Sequence, residues 1–351
     1  MDIFDLIVAK EIAIYWTTAA ANKIPYLGAT LFPSIKQLGL DLKWFKGSKG
    51  LPIALTPAAF DTKVTLRDRI GVTKIETEMP FFREGMRIGE KERQELLKAQ
   101  AAANSAFIMP IINQIYNDAG ALVDGALVNP ERMIMQLLST GLIGITAVTD
   151  GVRVNYNYDY KFNAEHTETL SGDALWSDHD NATPIQDIQR WQDTIEEDSG
   201  VRPTRAICTR KRWNDLLMNK TIKLDMNPIG GQNVILTDSM LQQYLLAKLG
   251  LTVAVYNKKY NLNGTPTLFF AEDKFTLIPD GNLGNTYFGT TPEEADLMSG
   301  APNIQVQIVN TGVAVTTKKE YGPPVNTETI VSEICLPSWE TIDQTFIAKV
   351  A

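Results

Sequence analysis

Histidine and cysteine are scarce in this sequence, with two of each among 351 residues. Metal centres and nucleophilic sites draw many of their ligands and bases from these residue types, so the shortage disfavours both. Cys208 and Cys335 lie far apart in the sequence and predict buried or half-buried thiols in a reducing compartment, with no disulfide framework. His166 and His179 both fall in a polar segment, which predicts solvated loop positions.

Long hydrophobic runs are also lacking. No stretch reaches the roughly 18 consecutive apolar residues that a membrane-spanning helix needs, so we expect no contact with a membrane. The first residues include the acidic Asp2 and Asp5. Because a secretory signal begins with a basic segment, the start of this sequence does not predict one.

Positive charge is in short supply as well. The chain has a formal net charge of −8 at pH 7, whereas tight sequence-specific binding of nucleic acid usually needs a basic domain. The charge is unevenly distributed: residues 1–100 carry +3, 101–200 carry −11, 201–300 carry +2 and 301–351 carry −2. No block is strongly basic, which leaves room only for weak, non-specific contact with nucleic acid.

Nucleotide-binding and catalytic motifs are missing. The stretch WFKGSKGLP, residues 44–52, places two glycines around a serine and a lysine. It lacks the P-loop spacing, and Pro52 prevents a following helix, so it predicts a solvated turn or a protein-contact loop. IPDGNLGNTYFG lacks the GxGxxG spacing of a dinucleotide site, and neither GxSxG nor HExxH occurs. We therefore expect no enzymatic activity and no cofactor.

The segment SDHDN, residues 177–181, is the place where a metal site could be suspected, because it combines two aspartates with His179. Only one imidazole is available there, so the segment is more typical of a solvated acidic loop. Weak binding of a cation is the alternative, and we predict no resident metal.

Extended structure dominates the first 80 residues. Residues 1–35 are apolar without clean periodicity and predict an arm that packs on something else. Leu38, Leu40, Leu42 and Trp44 alternate with polar or small residues, which predicts a half-buried strand. A second extended run follows at KVTLRDRIG, so residues 38–80 predict a long hairpin-like excursion. Such an excursion has little core of its own and is expected to pack on another chain or region.

A long helix is predicted over residues 110–140. Pro110 suits a first helical position, and Gly141 suits a C-terminal stop. Asn129 followed by Pro130 suggests a restart or kink within this helix. Its inward face is expected to carry the following apolar residues: Ile112, Ile115, Leu122, Met133 and Leu137. We expect Asp118 to face solvent.

The remaining chain alternates between strands and helices. Residues 142–160 predict a hairpin with Asp150 and Gly151 at its turn. Residues 183–285 read as an α/β unit, with a helix that begins at Thr183-Pro184 and ends at Gly200, and another that Asp238 caps. A short helix is expected after Thr291, and the last 50 residues are mostly extended.

Several segments in this order resemble one known family. They are GLPIAL, FDTKVTLRDRIG, TEMPFFREGMRIGEKERQEL, IPDGNLGNTYFG and the ending SEICLPSWETIDQTFIAKV. The chain resembles, over nearly its whole length, the major capsid proteins of tailed bacteriophages, and in particular the family of the lambda major head protein. The fold that this resemblance implies is the Hong Kong 97-like capsid fold of the α+β class, with an N-terminal arm, an extended β loop, a long spine helix, a peripheral domain and an α/β axial domain.

The resemblance also implies a division of the chain. Residues 1–37 are expected to be the arm and 38–80 the extended loop that reaches a neighbouring subunit. Residues 81–183 would hold the peripheral domain with the spine helix, 184–300 the axial domain near capsomer centres, and 301–351 the return to the peripheral domain.

The function implied is that of a major head protein. Copies of the chain are expected to form pentamers and hexamers of an icosahedral virion shell around double-stranded DNA, assembled in the bacterial host cytoplasm. The start of the sequence lacks a built-in scaffold segment, so the expected partners are a separate scaffolding protein, a portal protein and, as an optional addition, a decoration protein.

Two other functions stay open at this point. A cellular or prophage-derived nanocompartment shell protein shares the fold and encloses enzymes, whereas the long excursion over 38–80 favours the phage shell. An α/β enzyme built on residues 184–285 is the second alternative, and it would need convergent titratable groups that the sequence does not offer.

The basic loop that follows the first strand is our candidate for an intersubunit contact. The charge division between residues 1–100 and 101–200 suggests that its lysines meet acidic surface on a neighbouring subunit. The candidate contact residues are Trp44, Lys46, Gly47, Lys49 and Gly50.

Overall fold

The structure, a computed structural model, describes residues 7–20, 26–46, 73–101, 105–149, 152–231, 234–262, 264–300, 305–320 and 325–351. The chain divides into two compact units. Unit 1 comprises Met1–Leu42, Glu76–Glu131 and Asn285–Ser338, and unit 2 comprises Lys43–Ile75, Arg132–Gly284 and Trp339–Ala351. The division expected from the family resemblance has five parts, and it stays a prediction.

Helices and strands are interleaved along the chain. The helices of the described residues are α1 (Ala9–Ala20), α2 (Leu27–Leu31), α3 (Glu90–Ala101), α4 (Ser105–Thr140), α5 (Pro184–Ser199), α6 (Arg210–Met218), α7 (Lys220–Met226), α8 (Asp238–Leu249) and α9 (Pro292–Ser299). The strands are β1 (Ser34–Lys36), β2 (Asp41–Lys46), β3 (Thr73–Glu78), β4 (Phe81–Ile88), β5 (Leu142–Thr149), β6 (Val152–Asp159), β7 (Thr167–Thr169), β8 (Arg205–Cys208), β9 (Thr252–Val255), β10 (Lys259–Leu262), β11 (Thr265–Leu268), β12 (Lys274–Ile278), β13 (Thr286–Phe288), β14 (Gln305–Val309), β15 (Val313–Glu320), β16 (Asn326–Pro337) and β17 (Phe346–Lys349).

Unit 1 is built on a six-stranded sheet. Its strand order is β1-β13-β16-β15-β14, and β4 joins beside β16. Strand β16 is 12 residues long, so one of its edges pairs with β4 over residues 327–334 and then with β13 over residues 335–337. Valines of β15 and β16 pack with apolar residues of α1 and α4 in a buried cluster that includes Ile12, Trp16 and Val123. The two helices cover one face of the sheet and exclude water from it.

The predicted long helix is present as α4, and it begins earlier than expected. It spans Ser105–Thr140, 36 residues, so Pro110 lies inside its second turn and the prediction that it begins there is wrong. The helix also continues through Asn129 and Pro130, where we expected a restart or kink. Packing of one face against a core commonly outweighs the local cost of a helix-disfavouring residue. Gly141 ends the helix as predicted, with φ +73°.

Burial along α4 follows the predicted inward face with one exception. Ile112, Leu122, Met133 and Leu137 are buried, whereas Ile115 is half-buried. Asp118 is exposed as expected. The residues up to Glu131 belong to unit 1 and those from Arg132 onward belong to unit 2.

Two expectations for the first 44 residues are wrong in part. Strand β2 begins only at Asp41, and Leu38 and Leu40 are 74% and 45% exposed instead of half-buried. Gly39 between them has φ +91°, a left-handed conformation that interrupts an extended strand. The region before it also contains a clear helix, α1, where we saw no periodicity.

Unit 2 is built on a five-stranded sheet of order β7-β17-β12-β8-β9, with β12 antiparallel to both of its neighbours. Several aromatic side chains pack in its core. The ring centroids of Trp176 and Trp191 are 5.9 Å apart, and the ring centroid of Phe275 lies 4.9 Å from that of Trp176. Helix α5 begins at Pro184 and is closed by Gly200 in the left-handed conformation, as predicted. The α/β character expected for this region is confirmed.

Smaller predictions can be compared residue by residue. The hairpin of β5 and β6 is antiparallel as expected, and its turn at Asp150 and Gly151 lies outside the described residues. Helix α8 is capped by Thr237, whose Oγ1 accepts from the Met240 amide, so the prediction that Asp238 caps it is wrong. Threonine and aspartate are both common caps, and the true boundary differs by one residue. The short helix after Thr291 is present as α9.

Candidate functional site

The predicted intersubunit loop begins at the end of β2. Trp44 on this strand is 4% exposed, and its ring centroid lies 5.6 Å from that of Tyr160 in the same unit. Burial raises the pKa of the Tyr160 phenol. Trp44 therefore anchors β2 within its own chain. Lys46 is the last residue of β2, and the other candidates, Gly47, Lys49 and Gly50, lie outside the described residues. The intersubunit role of this loop stays a prediction.

The two histidines each contact an aspartate, and one of them is not where we expected it. His166 is 1% exposed, with its Nε2 3.0 Å from Asp198 Oδ2, so the expectation of a solvated position is wrong for this residue. It ends a 3₁₀ turn that turns its side chain inward. His179 is partly exposed, and its Nε2 lies 3.0 Å from Asp215 Oδ1.

The acidic segment 177–181 has an explanation in turn geometry. Asp178 accepts hydrogen bonds from the Asn181 side chain at 2.9 Å and from the Asn181 and Asp180 amides at 3.1 and 3.2 Å. These hydrogen bonds lower the pKa of Asp178, the side chain of Asn181 contributing most. In the part of the chain that the structure describes, no group of three or more histidine, cysteine, aspartate or glutamate residues could hold a metal ion.

Both cysteines are buried, as predicted. Burial raises the pKa of Cys208 to about 12 and raises that of Cys335 well above its usual range. A thiol becomes a nucleophile only as the thiolate. Neither cysteine is therefore placed for covalent catalysis.

Glu333 is the most perturbed carboxyl group of unit 1. It lies on the central strand β16, is 1% exposed, and accepts one hydrogen bond of 2.9 Å from Asn129 Nδ2 on α4. Burial raises the pKa of Glu333 to about 8, although the hydrogen bond from Asn129 lowers it in part. Glu333 is held within the sheet by a side chain of α4, and we interpret it as a structural feature of the core.

An exposed apolar loop in unit 2 was missed by the sequence analysis. Ile229 and Ile235 are 90% and 88% exposed. Described residues on both sides of these isoleucines are nevertheless anchored, because Leu236 is 7% exposed in the core cluster and Val234 and Met226 pack against that cluster. No charged residue occurs between Asp225 and Asp238, and a segment of this composition predicts a core position as readily as an exposed one.

A compact acidic surface lies at the C-terminal end of α5. The exposed carboxylates there are Asp193, Glu196, Glu197 and Asp198. Arg202 bridges the first two, with its Nη1 2.7 Å from Asp193 and 2.5 Å from Glu196. Negative side chains oppose the helix dipole at a C-terminus, so this surface does little for the stability of the helix, and Arg202 neutralises part of its charge.

The structure thus buries Cys208, Cys335 and Glu333 and exposes both the loop with Ile229 and Ile235 and the acidic surface of α5. Its sequence matches the family of phage major capsid protein E over residues 11–349. The chain belongs to this capsid protein family. Its fold is therefore the Hong Kong 97-like capsid fold that the sequence analysis expected, and its function is to form a capsid shell.

Solved structures agree on the fold of this capsid protein. A protein assigned as the capsid protein of a prophage in Escherichia coli CFT073 is 16% identical, with 98% of this chain and 99% of that chain covered at a TM-score of 0.60. A phage-related protein from Bordetella bronchiseptica RB50 is 13% identical, with 96% and 97% covered at a TM-score of 0.57. A comparison with curated protein sequences finds no match.

The family match also bears on the role of this protein. The family match places this capsid protein among structural proteins of the virion, and it favours a phage shell over a nanocompartment shell. Among the described residues, no helix is long and apolar enough to cross a membrane.

Proposed function

We propose that copies of this capsid protein assemble as pentamers and hexamers of a closed icosahedral shell around double-stranded DNA, built in the cytoplasm of the bacterial host. The family match over residues 11–349 is the observation that carries the proposal. Contacts between different patches on identical subunits close into rings when the rotation permits. A net charge of −8 suits a container for DNA, because such a surface does not bind the genome tightly.

Residues 184–300 form the axial domain near the centre of each ring in this proposal. The exposed loop with Ile229 and Ile235 supports that role. Around a rotation axis each residue meets copies of itself, so a charged residue there would face like charges. A loop with two exposed isoleucines and no charge over residues 226–237 is well suited to such a position.

Residues 38–80 form the loop that reaches a neighbouring subunit. The acceptor that we propose for Lys46 and Lys49 is the acidic surface at the end of α5, which Arg202 neutralises only in part. Asp193, Glu196 and Glu197 are all exposed, so a basic loop from another copy can approach them without displacing a core side chain. Pairing of this kind speeds and orients association more than it tightens it.

The further partners in the proposal are a separate scaffolding protein, a portal protein and optionally a decoration protein. The chain acts in this scheme as a building block without catalytic activity or cofactor. The buried thiols Cys208 and Cys335 support that view, because burial raises the pKa of each and so disfavours the reactive thiolate.

Electron microscopy of the purified protein tests the proposal. We expect closed shells, and sedimentation should show the capsid protein in large particles together with smaller rings. Soluble monomers under all salt and concentration conditions, also after addition of the scaffolding protein, would contradict it. Shells that contain a co-purified enzyme, identified by mass spectrometry, would favour the nanocompartment instead.

A further inference from the structure

Two neighbouring glutamates open helix α9. Thr291 caps this helix, with its Oγ1 accepting from the Glu294 amide at 3.3 Å. The side chains of Glu293 and Glu294 are only 13% and 14% exposed. Charged groups so far removed from water need partners, because desolvation without pairing is costly.

The partner of Glu294 is Lys36. Its Nζ lies 2.5 Å from Glu294 Oε2 and also donates to the Gly289 carbonyl oxygen at 2.9 Å. Lys36 is the last residue of β1 and lies two residues before the start of the 38–80 excursion. One end of the excursion is thereby tied to the start of α9.

The partner of Glu293 is Arg83. The Arg83 guanidinium forms an ion pair with Glu293 Oε1 and lies over the Phe81 ring at 4.7 Å from its centroid. The other carboxylate oxygen of Glu293 accepts from Ser332 Oγ at 2.8 Å. Arg83 is the third residue of β4, directly after the excursion. Glu293 and Glu294, adjacent residues of α9, thus hold the chain on both sides of the excursion.

Backbone hydrogen bonds bring the same segments together. The Gln37 amide donates to the Phe288 carbonyl oxygen at 2.8 Å, and the Thr290 amide donates to the Gly39 carbonyl oxygen at 3.3 Å. The Met79 amide donates to the Leu40 carbonyl oxygen at 2.9 Å, which ties the second end of the excursion to the first.

Close packing makes this junction sensitive to displacement. A Cβ atom on Gly289 would lie 2.7 Å from the Gly39 carbonyl oxygen and 2.8 Å from the Met79 side chain. A movement of either end is therefore transmitted directly to the segment that leads into α9.

From these contacts we propose that Glu293 and Glu294 are positioning residues, which hold the chain on both sides of the 38–80 excursion at one junction of unit 1. The purpose of this placement rests on the proposed function, in which the excursion reaches a neighbouring subunit. In each ion pair one charged group makes a further hydrogen bond. Lys36 donates to the Gly289 carbonyl oxygen, and Glu293 accepts from Ser332 Oγ. Opening the junction requires the loss of both pairs, because each carboxylate holds a different end.

Hydrogen exchange of the unassembled full-length subunit tests the positioning role. The double variant Glu293→Gln with Glu294→Gln keeps the shape and removes both charges. We expect amide exchange to become about tenfold or more faster at Gln37 and Met79, while amides of β15 and of the sheet of unit 2 keep their rates. The matched control is Asp296→Asn, an exposed position on the same helix, which should change neither group of amides.

Two outcomes overturn the proposal. Unchanged exchange at Gln37 and Met79 would show that the ion pairs do not hold the junction. Equally accelerated exchange throughout unit 1 would show that the glutamates stabilise the fold without a local role. A charge exchange, Lys36→Glu with Glu294→Lys, should slow exchange at Gln37 again relative to Lys36→Glu alone.

The rate of shell assembly separates this proposal from the proposed function. Faster local exchange with slower assembly of the double variant supports both the positioning role and the contact of the excursion with a neighbour. Faster local exchange with a normal assembly rate retains the positioning role and contradicts the neighbour contact.

Discussion

Asn129 Nδ2 donates a hydrogen bond of 2.9 Å to Glu333 Oε1, and this bond joins α4 to the centre of the sheet in unit 1. The other carboxylate oxygen, Oε2, has no hydrogen-bond partner among the described residues. Burial raises the pKa of Glu333 to about 8. The carboxyl group is therefore protonated in the folded subunit at neutral pH, where it ionises in the unfolded chain.

A pH dependence of subunit stability follows. Because the pKa of Glu333 is higher in the folded than in the unfolded state, the folded state retains a proton that the unfolded state releases. Stability from this group is thus fully present below pH about 4.5 and declines as the pH rises to about 8, by roughly 1 kcal/mol per pH unit. Urea unfolding of the unassembled subunit at pH 5 and pH 8 measures this decline.

The matched variant for that measurement is Glu333→Gln, which keeps the hydrogen bond to Asn129 possible and cannot ionise. We expect its free energy of unfolding to vary less with pH than that of the natural chain, so that the variant gains relative stability between pH 5 and pH 8. An identical pH slope in both proteins would contradict the assignment of the buried proton to Glu333.

The unfolding free energy lost when a side chain of α4 is truncated should increase with the burial of that side chain. Leu137 is 0% exposed, and Leu137→Ala should cost about 2–5 kcal/mol of unfolding free energy. Ile115 is half-buried, so Ile115→Ala should cost clearly less, and Asp118→Asn should cost close to nothing. Chemical unfolding of the three variants gives the ranking. A Leu137→Ala variant as stable as Asp118→Asn would make the core assignment wrong.

The sequence predicted the elements whose signals are local. Helix α5 was found from Thr183, Pro184 and Gly200, and the hairpin of β5 and β6 from strict alternation. The sequence did not predict helix α1, because Ile12 and Trp16 are buried by packing on the valines of β15 and β16. Those valines lie some 300 residues away in the chain. Long-range packing of this kind leaves little trace in local periodicity.

The candidate contact surfaces show the same limit. The basic loop at Lys46 was visible as a charge pattern, and the acidic character of residues 101–200 was visible as composition. Exposure of Ile229 and Ile235 could not be read from the sequence, since an isoleucine in an uncharged segment predicts a core position as readily as a surface one. The junction of Lys36 with Glu294 spans 258 residues of sequence, and no spacing rule connects residues so far apart.

The apolar loop of unit 2 gives a prediction for ring formation. Ile229→Ser with Ile235→Ser should leave the subunit folded, because both side chains are almost fully exposed, and should weaken the rings by removing apolar surface that copies bury against one another. Circular dichroism tests the fold, and sedimentation tests the rings. The control is Val201→Ser, a 36% exposed apolar residue of the same unit. If the rings of the variant are as stable as those of the natural chain, this loop is not part of the contact.

A cross-link gives a sharper test of the same loop. Both natural cysteines are buried, so Ile229→Cys adds a thiol that is far more accessible to an oxidant. If the loops meet around a rotation axis, mild oxidation of assembled shells should join residue 229 of one copy to residue 229 of another as a disulfide-linked dimer. The Val201→Cys variant should give no such dimer. If both variants give only monomers after oxidation, the loops of different copies do not meet at the rotation axis.

The basic loop after β2 yields the last prediction. Lys46→Glu with Lys49→Glu should leave the subunit folded and slow or block shell assembly, because in the proposed contact the reversed charges would face the acidic surface of a neighbouring copy. The effect should be largest at low salt, where screening is weak, with a Debye length of about 30 Å at 0.01 M against about 10 Å at 0.1 M. Lys91→Glu with Lys98→Glu, at two exposed positions of α3, makes the same change in net charge and is the control. Sedimentation over time measures assembly and circular dichroism measures folding. Normal assembly of the Lys46 and Lys49 variant would refute the contact, equal slowing of both variants would attribute the effect to net charge, and a misfolded subunit would place the loop in the core of its own chain.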